Sequence, residues 1–171
     1  MKPRKILLLF VPALLLLGAV YLGLKIWSTA QAKEKIHATT QYLPTIHLRK
    51  TDGGILLTDS FHYKKELLVL NYFNPDCDHC LSMVQEMFRQ KSVLQNVHWL
   101  MITTNTTEKT KRFVDSMNLS QLPMVTVLND TSFQFMKAFG SVSVPSFYVY
   151  KNGELLRRHS GECSIAYLLQ P

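Results

Sequence analysis

The 171-residue sequence predicts an α/β domain, a mixed central sheet flanked by helices, preceded by one membrane-spanning helix. Three observations predict it. Residues 6–24 are 19 consecutive positions without a charge. At about 1.5 Å of rise per residue they come close to crossing a hydrocarbon core of about 30 Å. From residue 44 onward, short apolar runs alternate with stretches of helical period, the pattern of strands interleaved with helices. One of those runs, residues 67–73, passes straight into a cysteine pair, Cys77 and Cys80, where a helical period begins.

Charge and composition set the frame. The formal net charge is +7. Four of the basic residues, Lys2, Arg4, Lys5 and Lys25, flank the apolar run, and no acidic residue does. From residue 33 on, 15 basic residues face 12 acidic ones. The domain is only mildly basic, which gives no reason to expect a nucleic-acid partner. An apolar share of 47% with three cysteines excludes a disordered chain and a disulfide-dense scaffold.

The first element is the apolar helix. Basic residues on its amino-terminal side predict a short cytoplasmic terminus (1–5), a transmembrane anchor (6–27), a linker (28–43) and an exported domain (44–171). The expected location is a single-pass inner-membrane protein with its domain in the periplasm. Ala30-Gln31-Ala32 resembles a signal-peptide cleavage site, but the apolar run is longer than a signal core. Lys25, Ile26 and Trp27 also intervene, so the uncleaved anchor is the stronger reading.

Within the domain, residues 45–49 alternate apolar and polar and predict a strand. Asp52-Gly53-Gly54 is a turn signal, and residues 55–57 are a second short strand. Residues 67–73 are almost continuously apolar, as a strand covered on both faces must be. A helix follows Cys77, with Cys80, Val84 and Met87 at helical spacing. Residues 97–102 form the next strand, and 107–117 a helix with Phe113, Val114 and Met117 inward. Residues 124–128 are a strand and 131–139 a short helix. Residues 146–150 and 154–158 pair around Asn152-Gly153, a type I′ hairpin signal. A last helix covers 163–169.

Cys77 and Cys80 carry the chemistry. Their i, i+3 spacing places both sulfurs on one helical face, within reach of each other. At a helix N-terminus, unpaired N–H groups and the helix dipole favour a thiolate, so Cys77 is the expected nucleophile and Cys80 the resolving thiol. His79 is expected to support the Cys77 thiolate, and Asp76 and Asp78 to oppose a further negative charge. Pro75 shapes the entry to the turn. Zinc would need four ligands, and no second Cys/His cluster accompanies the pair. A structural disulfide across one helical turn closes almost no loop and stabilises little. Cys163 is expected to be a packing residue.

The run from Leu68 through Cys80 resembles the strand-to-helix active site of the thioredoxin superfamily, above all its membrane-anchored TlpA/ResA-like thiol–disulfide oxidoreductases. Val144-Pro145-Ser146-Phe147 resembles the cis-proline loop of that family, and the similarity covers residues 44–169. The resemblance implies a thioredoxin-like fold. It places Pro145 against the cysteine pair, and Val144 and Pro145, with Pro75, against a bound substrate chain. Asn71 stands where thioredoxins commonly carry a buried aspartate, and Met83 where some relatives carry a glutamate. That leaves Glu86 as the nearby carboxylate to watch.

The expected activity is disulfide exchange with protein thiols outside the cytoplasm, with no cofactor. A membrane redox partner would supply or accept electrons, and apocytochrome c is a family-type substrate. Two other readings stay open: a copper-handling protein using the cysteine pair and a histidine, or a redox-inert binding module.

Overall fold

The computed structural model describes residues 3–62 and 66–170. Met1 and Lys2 of the expected cytoplasmic terminus lie outside the described residues. The chain divides into two units, Met1–Ala38 and Thr39–Pro171.

The first helix, α1, runs Pro3–Thr40. Its large apolar side chains between Leu14 and Trp27 are all exposed. It is long and apolar enough to cross a membrane, a test that a signal sequence near the N-terminus also passes. It does not stop near residue 27, because no proline or glycine interrupts residues 25–40.

The second unit starts earlier than residue 44. Thr40 and Leu43 are buried, and Tyr42 bridges Glu154. Leu43 N–H donates to Gly153 O at 2.7 Å, and Leu155 N–H to Gln41 O at 2.8 Å. The end of the expected linker is therefore tied into the fold.

Seven strands form one mixed sheet: β1 (His47–Lys50), β2 (Ile55–Leu57), β3 (Leu67–Tyr72), β4 (Val97–Thr103), β5 (Val125–Asn129), β6 (Ser146–Lys151) and β7 (Glu154–Ser160). Their order is β2-β1-β5-β4-β3-β6-β7. Strands β3, β4 and β5 are parallel, and the other pairings are antiparallel. The helices are α2 (Asp78–Arg89), α3 (Thr107–Ser116), α4 (Gln134–Phe139) and α5 (Ile165–Leu169).

Alternation along β3 builds a core on each face. Val69 joins Met83, Val84, Met87, Phe113, Ile165 and Leu168, so α2, α3 and α5 cover one side. Leu68, Leu70 and Tyr72 join Phe135, Phe139 and Tyr148, so α4 covers the other. The buried positions of α2 are 80, 83, 84 and 87, the stripe an amphipathic helix presents to a sheet. The hairpin turn has Asn152 at φ 52° and Gly153 at φ 78°, both positive as a type I′ turn requires. A Cβ on Gly153 would stand 3.2 Å from His62 O, so the position excludes larger residues twice over.

Helix α4 begins three residues later than the periodicity suggests. Asp130, at the end of β5, reaches forward: Oδ1 accepts from Gln134 N and Oδ2 from Phe135 N, each at 2.8 Å. Phe133 lies between them at φ 55°.

Candidate active site

The parallel strands β3, β4 and β5 end on the same edge of the sheet, and the loops that leave them build the site. After β3 the chain turns through Asn74-Pro75-Asp76-Cys77, closed by Cys77 N–H donating to Asn74 O at 3.1 Å. Pro75 occupies the second position of that turn, where its fixed φ suits the backbone. Asn74 Oδ1 accepts from Asp76 N at 3.1 Å.

Three asparagines tie the strand ends together. Asn105, after β4, donates from Nδ2 to Asn74 Oδ1 at 3.3 Å. Asn129, at the end of β5, donates to Asn105 O at 2.8 Å and to Thr110 Oγ1 at 2.7 Å.

Cys77 is the N-cap residue of α2, and its side chain caps no backbone amide. The half-buried thiol instead donates to Val144 O at 3.9 Å. The Val144–Pro145 peptide bond is cis. Pro145 is buried and Val144 half-buried. Gly161 N–H holds the loop by donating to Pro145 O at 2.8 Å.

Cys80 lies one turn further and is 1% exposed. Burial pushes its thiol up to about 12, and the neighbouring Cys77 and the Glu162 charge push the same way. The two cysteines thus differ in access, one half-open beside the proline loop and one sealed behind it.

Two of the flanking charged residues have partners elsewhere in the fold. His79 is exposed, and its Nδ1 pairs with Glu162 Oε2 at 2.9 Å. Glu162 sits in the loop after β7, and its hydrogen bonds from His79 and then Ser82 hold its carboxyl below the usual carboxylate range. Asp76 is ion-paired with Lys109 of α3. Asp78 is exposed in the first turn of α2. Glu86 faces Arg89 and Gln90. Asn71 is buried and donates toward Ser146 O at 3.4 Å, and Met83 is buried in the core. Among the described residues no three His, Cys, Asp or Glu side chains converge on a metal position.

Glu162 and Lys109 are the residues the sequence leaves unannounced. Their partners lie 83 and 33 positions away, and no local pattern links them. Cys163, next to Glu162, packs against the core, and burial pushes its thiol up to about 11.

A mixed sheet with helices on both faces, a cysteine pair at the start of α2 and a facing cis-proline define a thioredoxin-like fold. Residues 39–159 match the AhpC/TSA family, and the chain belongs to that family. Solved structures agree on the fold. A secreted Mycobacterium tuberculosis disulfide oxidoreductase homologous to E. coli DsbE is 17% identical over 74% of this chain and 88% of that one, with a TM-score of 0.59. The exposed lipoprotein thioredoxin Etrx1 of Streptococcus pneumoniae is 20% identical over 74% and 96%, with a TM-score of 0.55. A peroxiredoxin-like protein from Aquifex aeolicus is 15% identical over 71% and 74%, with a TM-score of 0.58. No curated protein matches the chain in sequence.

Proposed function

We propose that the protein is a thiol–disulfide oxidoreductase that exchanges disulfides with protein substrates outside the cytoplasm. One observation carries this reading: Cys77, half-buried at the start of α2, points its sulfur at the Val144 carbonyl beside cis-Pro145, with Cys80 buried behind it.

In the reducing direction the Cys77 thiolate attacks one sulfur of a substrate disulfide. A mixed disulfide forms, and the first substrate sulfur leaves as a thiolate that takes up a proton. Cys80 gives up its proton and attacks Cys77 Sγ. The mixed disulfide breaks, Cys77 and Cys80 are oxidised to a disulfide, and the second substrate sulfur leaves as a thiol. Two electrons pass to the substrate. The oxidising direction is the reverse. Val144 and Pro145 border the sulfur and offer the substrate chain a backbone edge, with Pro75 in the turn that leads into Cys77. Asp78 adds an exposed negative charge in the first turn of α2, while that of Asp76 is paired with Lys109.

The apolar helix α1 supports an anchored protein, with Lys2, Arg4 and Lys5 on the cytoplasmic side and the domain in the periplasm of a bacterial inner membrane. Anchoring favours a membrane redox partner, and apocytochrome c thiols are the substrate we put forward.

The test is the reduction potential of the full-length chain in detergent, read by alkylation and mass across a thiol–disulfide buffer series. A reversible two-electron couple between Cys77 and Cys80 is expected. A value near or below about −250 mV marks a reductant and one above about −180 mV an oxidant or isomerase. Absence of the couple overturns the reading. Tight Cu(I) binding without exchange then favours the copper-handling alternative, and neither property a redox-inert binding module.

A further inference from the structure

The turn that carries Cys77 is held from the side by the start of α3. Asn74 Oδ1 accepts from Asp76 N at 3.1 Å and from Asn105 Nδ2 at 3.3 Å, so one carboxamide joins the turn to the segment before α3. Thr106, the N-cap of α3, accepts from Lys109 N at 3.3 Å through its hydroxyl. The buried Thr110 hydroxyl accepts from Asn129 Nδ2 at 2.7 Å and donates to Thr106 O at 2.9 Å. The backbone around Lys109 is thereby fixed, and its Nζ lies on Asp76 Oδ2. The lysine side chain is 35% exposed and that of Asp76 63%, so a charge on an approaching substrate meets both.

We infer that Lys109 is a specificity-determining residue: its charge cancels that of Asp76, and so admits disulfides flanked by acidic groups to Cys77. The inference rests on the exchange reading above. Asp76 adjoins Cys77 in the chain, and neighbouring Cα atoms stand about 3.8 Å apart. Both side chains are short, so the carboxylate lies within about 10 Å of the Cys77 sulfur, a Debye length at 0.1 M salt. A disulfide attacked by Cys77 brings its own charges into that zone. Without the lysine, Asp76 and the exposed Asp78 would present two negative charges at the start of α2 and repel an anion there. With it, the charge of Asp78 alone stands uncancelled, since on the other flank His79 and Glu162 pair with each other.

The effect is one of encounter rather than of sulfur chemistry. Any change that Lys109 makes to the reactivity of Cys77 acts alike on every disulfide and cancels from a ratio of two rates. What remains is the interaction between the rim and the charge of the substrate, which salt screens. An ion pair this exposed contributes little to folding, so its loss leaves the site assembled.

The experiment measures how fast the reduced full-length chain, in nonionic detergent at neutral pH and low ionic strength, is oxidised by two small disulfides. One is oxidised glutathione, an anion, and the other is cystamine, a cation. Each probe leaves as two thiols while Cys77 and Cys80 become a disulfide, and quenched alkylation with mass reads the protein. Lys109→Met is expected to lower the glutathione-to-cystamine rate ratio by at least about threefold. Lys109→Arg, and the double variant Asp76→Asn with Lys109→Met, are expected to keep the parent ratio. In about 1 M salt the shift for Lys109→Met is expected to vanish. A smaller shift, a shift shared by Lys109→Arg or the double variant, or one that survives high salt overturns the inference while leaving the exchange reading intact. A parent chain that neither probe oxidises overturns both.

Discussion

The two sulfurs of the site are chemically unequal although three residues apart. Cys77 is half-open, whereas Cys80 is 1% exposed with its thiol pushed up to about 12. At neutral pH Cys80 is a buried thiol that must lose its proton to act. Iodoacetamide is therefore expected to modify Cys77 at least about tenfold faster than Cys80, read by peptide mass after a short pulse. Cys77→Ser should abolish exchange, and Cys80→Ser should accumulate mixed disulfides with substrate proteins on non-reducing gels. Trapping by Cys77→Ser instead would reverse the two roles. The pair itself stands out in the sequence because a cysteine doublet closing a buried strand is a local pattern. The partners of its flanking residues do not, since Glu162 and Lys109 arrive by tertiary folding.

At the scale of elements, α4 shows how little of a helix start is written in its periodicity. Its amides are capped by Asp130, four and five residues back, buried at 1% exposure. Apolar spacing alone begins the helix at 131, because the residues between cap and helix are compatible with either conformation. Asp130→Ala is expected to cost about 1–3 kcal/mol, measured by urea unfolding, since a buried and a part-buried N–H group lose their acceptor. Phe135, on the same helix, stacks on Tyr72 at 4.9 Å and on Phe139 at 4.3 Å. Phe135→Ala should cost about 3–5 kcal/mol by the same measurement. The central strands are legible because continuous apolar runs have few other uses. The place of β1 between β2 and β5 is not, because pairing across the sheet leaves no trace in a four-residue strand.

At the scale of the whole molecule, several groups are held protonated by burial. Cys80 is pushed to about 12 and Cys163 to about 11, and Tyr148 and Tyr150 are raised as well. Each has a higher proton affinity folded than unfolded. The stability they contribute is therefore fully present below their unfolded values, near 9 for the thiols and 10 for the phenols, and is lost as pH rises through the folded values. The reduced protein should lose thermal stability steadily from about pH 9 toward 12. Oxidation of Cys77 and Cys80 should blunt the part due to Cys80, which differential scanning of both redox forms would read. Topology has its own test. A membrane-impermeant maleimide should label Cys77 in intact spheroplasts, and labelling only after lysis would place the domain on the other side. The helix α1 is legible from its 19 uncharged residues, but its continuation to Thr40 is not, since a polar surface helix and a polar tether share a composition.

The ladder Asn74–Asn105–Asn129 that fastens the ends of β3, β4 and β5 has one further consequence. Disulfide exchange moves hydrogen ions and electrons through the neighbouring sulfurs on every cycle. Carboxamides take up neither within the working range of a cell compartment. A frame joined by amides keeps the same bonds whichever way the sulfurs stand, so the turnover is confined to the sulfurs and their acid–base neighbours while the mount beneath them stays inert.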